Sequence, residues 1–255
     1  MKYARLALLV PALLALAACS TSAIKPDQLA KVEKVAIIGV DIQQQKPVSG
    51  GDLLGAALKM NKSSEAIPQA GVPSEHVAGV YQDLAQKLTA KTGWKVMKLD
   101  DLRKHPAYVA FFKEKTEGMQ NRPIINDRFV LYSAPNVIDT FAIMTTPQER
   151  LANLAKDLGV DTIVYAPITV ELNNSSMLAS LVGKGEFRPS AKLSVVAIDA
   201  TSGEKIYWQQ VEGPKVEKGA RNVVGMAPEE QLNQLAREAS ALSMDQAIEK
   251  LSITR

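Results

Sequence analysis

The chain has 255 residues, of which 46% are apolar, 22% charged and 5% aromatic. This composition can bury a core, and 13 Pro with 15 Gly exclude a collagen, a coiled-coil rod and a wholly disordered polymer, because each needs a more biased composition. The 30 basic and 27 acidic side chains are too balanced for a nucleic-acid binder, which needs a concentrated basic surface. One or two compact globular units remain.

The amino terminus has the pattern of a secretion signal. Lys2 and Arg5 precede an uncharged apolar run from Leu6 to Ala18, which ends directly at Cys19. The run has 13 residues, whereas a membrane-spanning helix needs about 20. We therefore predict a signal peptide over residues 1–18 rather than a retained transmembrane anchor.

Leu16-Ala17-Ala18-Cys19 resembles a bacterial lipobox, and Cys19 is the single cysteine of the chain. The resemblance implies lipidation of Cys19 by diacylglyceryl and amide-linked acyl (palmitate) chains. Ser20, in place of the Asp that retains such proteins at the inner membrane, implies the periplasmic face of the outer membrane. The alternative is a cleaved secretory peptide with an incidental cysteine.

Cleavage before Cys19 leaves 237 residues with a formal charge of +1. A nearly neutral protein is held at a bilayer by acyl chains and not by attraction to anionic lipid. With Cys19 acylated no thiol remains for a disulfide, so the hydrophobic core alone must stabilise the fold.

The first half of the mature chain predicts a tether followed by alternating elements. Residues 19–34 are polar and predict a lipidated tether, and Val35–Val40 predicts a strand buried on both faces. Residues 41–71 predict a long irregular insertion, with one short helix from Leu53 to Met60. Further elements are a helix opened by Pro73-Ser74 and ended by Gly93, a strand over Trp94–Leu99, a helix over Asp101–Gly118 and an insertion near 118–146 with one or two short strands, among its apolar fragments Phe129–Tyr132 and Phe141–Met144.

The second half of the chain predicts a helix followed directly by a buried strand and then by a hairpin. Thr146-Pro147-Gln148-Glu149 has the pattern of a capping box, and Gly159 supplies a left-handed stop. Strands are predicted over Val160–Val170, Lys192–Asp199 and Glu204–Glu212, and a helix from Pro228 to about Leu251. The predicted fold is α/β, with a single mixed sheet of about four to five strands in β-α-β-α-β-β-β-α order, forming one periplasmic domain over residues 35–255.

The chain offers few groups for catalysis, so we predict no enzymatic activity, no cofactor and no metal. His76 and His105 stand alone, and neither belongs to a metal-binding motif. Neither a nucleophile elbow nor a phosphate-binding loop is present. Ser22-Ala23-Ile24-Lys25 matches Ser-x-x-Lys, but the companion motifs of penicillin-recognising enzymes are missing, so we interpret the match as chance.

An apolar stretch lies between two predicted strands, within residues 171–189. The candidate contacts with a partner are Met177, Leu178, Leu181 and Val182. Such a loop either folds back on its own domain or contacts a partner protein, a neighbouring subunit or the membrane. Its alternation is too irregular for a membrane β-hairpin.

The order of elements, the run Leu158–Val164 and the hairpin Leu193–Glu204 resemble a known group of bacterial envelope proteins. They are similar to periplasmic lipoproteins of the curli-secretion-channel type, to the lipoprotein activator of a penicillin-binding protein and to the amino-terminal domain of TolB. The insertions that would form a pore's membrane hairpins are not recognisable here.

The resemblance and the lipobox together predict a non-enzymatic lipoprotein, anchored to the outer membrane through Cys19, that assembles or regulates the envelope. Its partners are the membrane, through the lipid anchor, and another envelope protein or a second copy of itself; no nucleic acid or small-molecule substrate is expected. The alternative is a subunit of an oligomeric secretion or polysaccharide-export complex. A periplasmic hydrolase is the weakest of the three interpretations, for want of a nucleophile and a base.

Overall fold

The structure is a computed structural model, and it describes residues 22–45, 72–117, 129–174, 186–221 and 229–251. The predicted helix from Leu53 to Met60 lies outside these residues.

The described strands form one mixed sheet, larger than the four to five strands that the sequence predicts. The nine strands are β1 (Ser22–Ile24), β2 (Lys34–Gln45), β3 (Val72–Pro73), β4 (Lys95–Val96), β5 (Phe129–Ser133), β6 (Thr162–Asn174), β7 (Glu186–Asp199), β8 (Lys205–Glu212) and β9 (Ala220–Arg221). Their spatial order is β1-β8-β7-β6-β2-β5-β3, with β4 also paired to β2 and β9 to β7. The α/β class and the single mixed sheet are confirmed.

Helices cover both faces of this sheet. Those described are α1 (Pro26–Leu29), α2 (Glu75–Thr92), α3 (Leu99–Lys104), α4 (Pro106–Glu117), α5 (Thr140–Met144), α6 (Gln148–Asp157) and α7 (Glu229–Lys250). Side chains of α2 and α7 meet Val164 and Val195 on one face. Because side chains alternate along a strand, the buried Ile163 and Val196 point to the other face, where α6 packs on β6 and β7.

The central strand β2 is buried along most of its length, as its apolar run predicts. Val35 to Ile38 and Val40 are fully buried, and β2 runs parallel to β6 and antiparallel to β5. A register shift between Ile37 and Gly39 interrupts the pairing with β6. The hydroxyls of Tyr81 and Tyr108 donate hydrogen bonds, 2.8 Å long, to the carbonyl oxygens of Ile37 and Ile38 at this irregularity. These bonds satisfy polar backbone groups that the core would otherwise leave unpaired.

Several predicted elements are confirmed. The helix α2 ends at Gly93, which adopts φ 71° as a left-handed stop, and α6 is followed by Gly159 at φ 69°. Strands β7 and β8 form the predicted hairpin, with Gly203 at φ 72° in its turn. Glycine is favoured at such positions because a Cβ disfavours positive φ.

Other local predictions are wrong. The predicted strand over Trp94–Leu99 shrinks to Lys95–Val96 because Leu99 begins α3, and a second helix, α4, follows directly. Residues 41–45 continue β2 rather than starting an insertion, and Phe141–Met144 belongs to a helix. Phe129–Ser133 does form the predicted short strand.

The predicted capping box at Thr146 is also wrong. Pro147 occupies the N-cap position of α6 with no side-chain cap. The hydroxyl of Thr146 instead donates to the carbonyl oxygen of Ala142 at 2.8 Å, so Thr146 closes the end of the preceding helix α5. The buried stripe predicted for α6, including Leu151 and Leu154, is confirmed.

Candidate functional site

The predicted lipidation site Cys19 lies outside the described residues, as do the predicted partner contacts Met177, Leu178, Leu181 and Val182. The structure does fix the two strands that lead to the partner contacts. The ladder between β6 and β7 continues to the pair Asn174 and Phe187. This pair lies well beyond Lys192, where the pairing of β7 with β8 begins.

The first described strand is joined to the edge of the sheet. Strand β1 pairs antiparallel with β8, from Ser22 opposite Gln209 to Ile24 opposite Tyr207. The backbone N–H of Lys25 continues the ladder by donating to the carbonyl oxygen of Ile206 at 2.9 Å. The chain is therefore part of the sheet from Ser22 onward.

The segment after β1 is held by burial and by a carboxylate. Leu29 and Val32 are buried in the main core. The backbone N–H groups of Glu33 and Lys34 both donate to Oδ2 of Asp161, at 3.0 and 2.8 Å, and the N–H of Asp161 donates to the carbonyl oxygen of Lys34 at 3.0 Å. Charge-assisted bonds of this kind are stronger than neutral ones.

Residues 22–34 are thus bound to the folded domain, whereas the sequence predicts a lipidated tether over residues 19–34. We call this segment, with β1, α1 and the turn into β2, the N-terminal clasp. The ion pair between Lys25 Nζ and Glu204, 2.6 Å long, adds to it, and the hydrogen bond from Lys25 lowers the pKa of the Glu204 carboxyl. Because both side chains are exposed, solvent screening leaves this pair a small share of the stability.

The most unusual ionisable group of the described residues is Asp41, on the central strand β2. Its side chain is fully buried, and Oδ2 accepts hydrogen bonds from the backbone N–H of Thr140, at 2.6 Å, and from the Thr140 hydroxyl, at 2.7 Å. The other oxygen, Oδ1, has no hydrogen-bond partner. Burial raises the pKa of Asp41 to about 7, the bonds from Thr140 oppose the rise, and the nearby Asp139 carboxylate adds to it.

Asp139 next to this group is itself positioned by the backbone. Its side chain caps α5 by accepting a hydrogen bond from the N–H of Ala142 at 2.7 Å. Asp41 therefore holds the first residue of α5 to the central strand, while Asp139 caps the same helix. This arrangement fixes α5 on the sheet.

An open groove of about 500 Å³ lies between α2 and the short strand β4. Its walls include Tyr81, Ala85 and Thr89 from α2 and Val96, Met97 and Leu99 from β4 and the start of α3. Strand β4 pairs with β2 on one side, so within the described chain its other edge borders the groove. Most of the accessible wall is apolar, and polar side chains also line it: Gln82, Gln86, Thr89, Lys98 and Asp100.

The two histidines lie at helix ends. His76 is in the first turn of α2, with Nδ1 2.5 Å from the Ser74 hydroxyl and its ring edge-on to Tyr132. His105 follows α3 directly. Within the described ranges no cluster of three or more His, Cys, Asp or Glu side chains could hold a metal ion. None of the helices described is long and apolar enough to cross a membrane.

Comparisons with known proteins return similar solved structures only. The sequence matches no protein-family model, and no curated protein matches it. One similar structure is the LpoB C-terminal domain from Salmonella enterica, with 9% identity, 71% of this chain and 81% of that chain covered, and a TM-score of 0.32. Lipoprotein GNA1162 from Neisseria meningitidis has 12% identity, coverages of 86% and 100%, and a TM-score of 0.34.

A third similar structure is a putative neuraminyllactose-binding hemagglutinin homologue from Helicobacter pylori. It has 11% identity, coverages of 88% and 84%, and a TM-score of 0.39. The LpoB C-terminal domain and a bacterial lipoprotein are thus among the solved structures that this chain is similar to.

The sequence misses the N-terminal clasp and the pair of Asp41 with Thr140. A local signal existed for α5, because Asp139 stands where a helix cap belongs. No local signal existed for Asp41 and Thr140, which are 99 residues apart.

Proposed function

We propose that this chain is a non-enzymatic periplasmic lipoprotein, anchored in the outer membrane by acylated Cys19, that acts by binding another envelope component. The observation that carries the proposal is the short distance in sequence between the lipobox cysteine and the first strand of the sheet. The apolar leader ends at Cys19, and the sheet begins at Ser22. A folded domain that starts directly after a lipobox cysteine is suited to a place at a membrane surface.

The binding role is assigned to two regions. One is the apolar stretch that joins β6 and β7, with Met177, Leu178, Leu181 and Val182 as its contacts. The other is the groove beside β4, whose walls are mainly apolar. Apolar surface that is rimmed by polar groups commonly marks a contact with another protein.

Fractionation of cells that make the full chain tests the anchor. Cys19→Ser removes the acceptor sulfur, so we expect the protein to leave the membrane fraction. Ser20→Asp is the matched control, since it keeps the cysteine and should move the protein from outer to inner membranes. Membrane retention of the Cys19→Ser variant would contradict the proposed anchor.

Crosslinking in intact cells tests the binding role. A photoreactive residue at Leu178 should capture an envelope protein, whereas the same residue at the exposed Lys113 on α4 should not. Equal capture at both positions, or capture of none at Leu178, would contradict the assigned contact. Capture of a second copy of this chain would favour a self-associating complex.

A further inference from the structure

The chain between the proposed lipid anchor and the sheet is very short. Cys19 and Ser22 are three residues apart, and consecutive Cα atoms are 3.8 Å apart across a trans peptide. Their Cα atoms are therefore separated by about 11 Å at most, whatever path the chain follows. The lipidated residue cannot be further than this from the first residue of β1.

Strand β1 lies at one edge of the sheet, and β3 lies at the other. Neighbouring strands are about 4.8 Å apart, so the six spacings between β1 and β3 amount to about 29 Å. The reach of the anchor is less than half of this width. Ser22 at the β1 edge therefore stays close to a membrane that holds Cys19, whereas the β3 edge can lie up to about 29 Å further away.

The N-terminal clasp prevents the chain from lengthening this connection. Releasing β1 would break its ladder with β8 and the bond from Lys25 to Ile206. Releasing the following turn would expose the fully buried Leu29 and would remove the two hydrogen bonds that Asp161 accepts. The attachment point is thus fixed to the folded domain.

We propose that the edge of the sheet formed by β1 and β8 faces the lipid bilayer, and that the β3 edge faces away from it. This inference rests on the proposed acylation of Cys19. Ile24 on β1 is 37% exposed, and the exposed side chains of the Lys25–Glu204 ion pair and of Lys205 give this edge a mixture of apolar and charged groups that suits a lipid headgroup region. Partner proteins must then approach from the β3 edge or from the helix-covered faces.

Two exposed positions near opposite edges of the sheet, at nearly the same level along the strands, allow a matched test. Gln210 on β8 is next to Gln209, the partner of Ser22. Val72 on β3 is 41% exposed. Following the paired residues from strand to strand across the sheet leads from Val72 to Val211, the neighbour of Gln210. Five strand spacings, about 24 Å, separate the two strands.

Energy transfer to the bilayer measures which position is nearer. Gln210→Cys or Val72→Cys is introduced into the full chain, and because acylated Cys19 has no free thiol, a fluorescent donor reacts with the new cysteine alone. The purified lipoprotein is reconstituted into phosphatidylethanolamine and phosphatidylglycerol vesicles that carry an acceptor on lipid headgroups. We expect higher transfer from position 210 than from position 72. Equal or reversed transfer would overturn the orientation.

A spacer variant tests the physical reason. A flexible Gly/Ser segment of about 20 residues between Thr21 and Ser22 adds roughly 25 Å of reach, so the difference in transfer should be lost. A difference that persists would show that the short connection does not set the orientation. Mass spectrometry of the same samples keeps the two proposals apart: an unmodified Cys19 contradicts the anchor, whereas equal transfer from an acylated protein contradicts the orientation alone.

Discussion

Replacing Asp41 by Asn should change how the stability of the domain depends on pH. In the folded chain, burial raises the pKa of Asp41 from 3.8 to about 7. Between these two values the folded chain keeps a proton that the unfolded chain has released, so the free energy of unfolding falls as pH rises. The contribution of this group is complete below the lower value and is lost as pH rises through the higher one.

The magnitude follows from the width of this window. One pKa unit corresponds to about 1.4 kcal/mol. The interval from pH 5 to the folded-state pKa is about two units, so raising the pH from 5 to 8 should lower the free energy of unfolding by about 3 kcal/mol through this group. The asparagine side chain of the Asp41→Asn variant carries no charge at any of these pH values. Its amide oxygen can accept the two hydrogen bonds from Thr140, and its NH2 group then takes the place of Oδ1. The variant should therefore lose little stability between pH 5 and pH 8 from this site.

Urea unfolding followed by circular dichroism, in the mature chain carrying Cys19→Ser, measures the difference. The gap between Asp41→Asn and the parent should widen in favour of the variant as pH rises from 5 to 8. The exposed Asp157→Asn on α6 is the control, and its curve should run parallel to that of the parent. If the Asp41→Asn curve also ran parallel to the parent, Asp41 would not be a buried, protonated acid and the reasoning would be refuted.

Two further predictions concern the packing around the central strand, and both are read from urea midpoints. Gly39→Ala should cost about 1–3 kcal/mol, because the added Cβ would collide with Cδ1 of Ile143 and lie 2.9 Å from a backbone carbonyl oxygen. In the control Gly79→Ala the new Cβ lies 3.0 Å or more from the half-exposed end of Arg237, which is paired with Asp83 and can shift by a few tenths of an ångström. This helix position should therefore be neutral or gain roughly 0.5–1 kcal/mol. Equal losses for the two variants would contradict the close packing around β2. Tyr108→Phe should cost about 1–3 kcal/mol, because it removes the buried hydroxyl that donates to the carbonyl oxygen of Ile38. Burial raises the pKa of this hydroxyl, so it stays protonated and remains a donor. An unchanged urea midpoint would show that another group satisfies the Ile38 carbonyl.

The elements that the sequence predicts well are those whose signals are local. The apolar run of β2 needs only its own residues to indicate a strand buried on both faces. The helix α2 is bounded by Gly93, and the turn of the β7–β8 hairpin contains Gly203. In each case the residue type and the backbone conformation are coupled within a few positions.

The elements that the sequence predicts poorly depend on distant partners or on short ambiguous runs. Ser22–Ile24 forms a strand because it pairs with the edge of β8, which lies almost two hundred residues later in the sequence. Phe141–Met144 is too short for its apolar pattern to separate strand from helix, and the cap from Asp139 decides the outcome. Leu99 starts a helix, a choice that the adjacent acidic residues of its first turn favour.

The edges of the sheet constrain how a partner can be recognised. A free edge of a sheet can add a strand from another protein, and natural proteins limit this by keeping edge strands short or by placing proline there. Strand β3 has two residues, one of them Pro73, which has no N–H to donate. If β1 faces the bilayer, neither edge of the described sheet path offers a long backbone template to a periplasmic partner. Recognition should then depend on side chains, which favours the groove beside β4 and the apolar residues between β6 and β7 over strand addition.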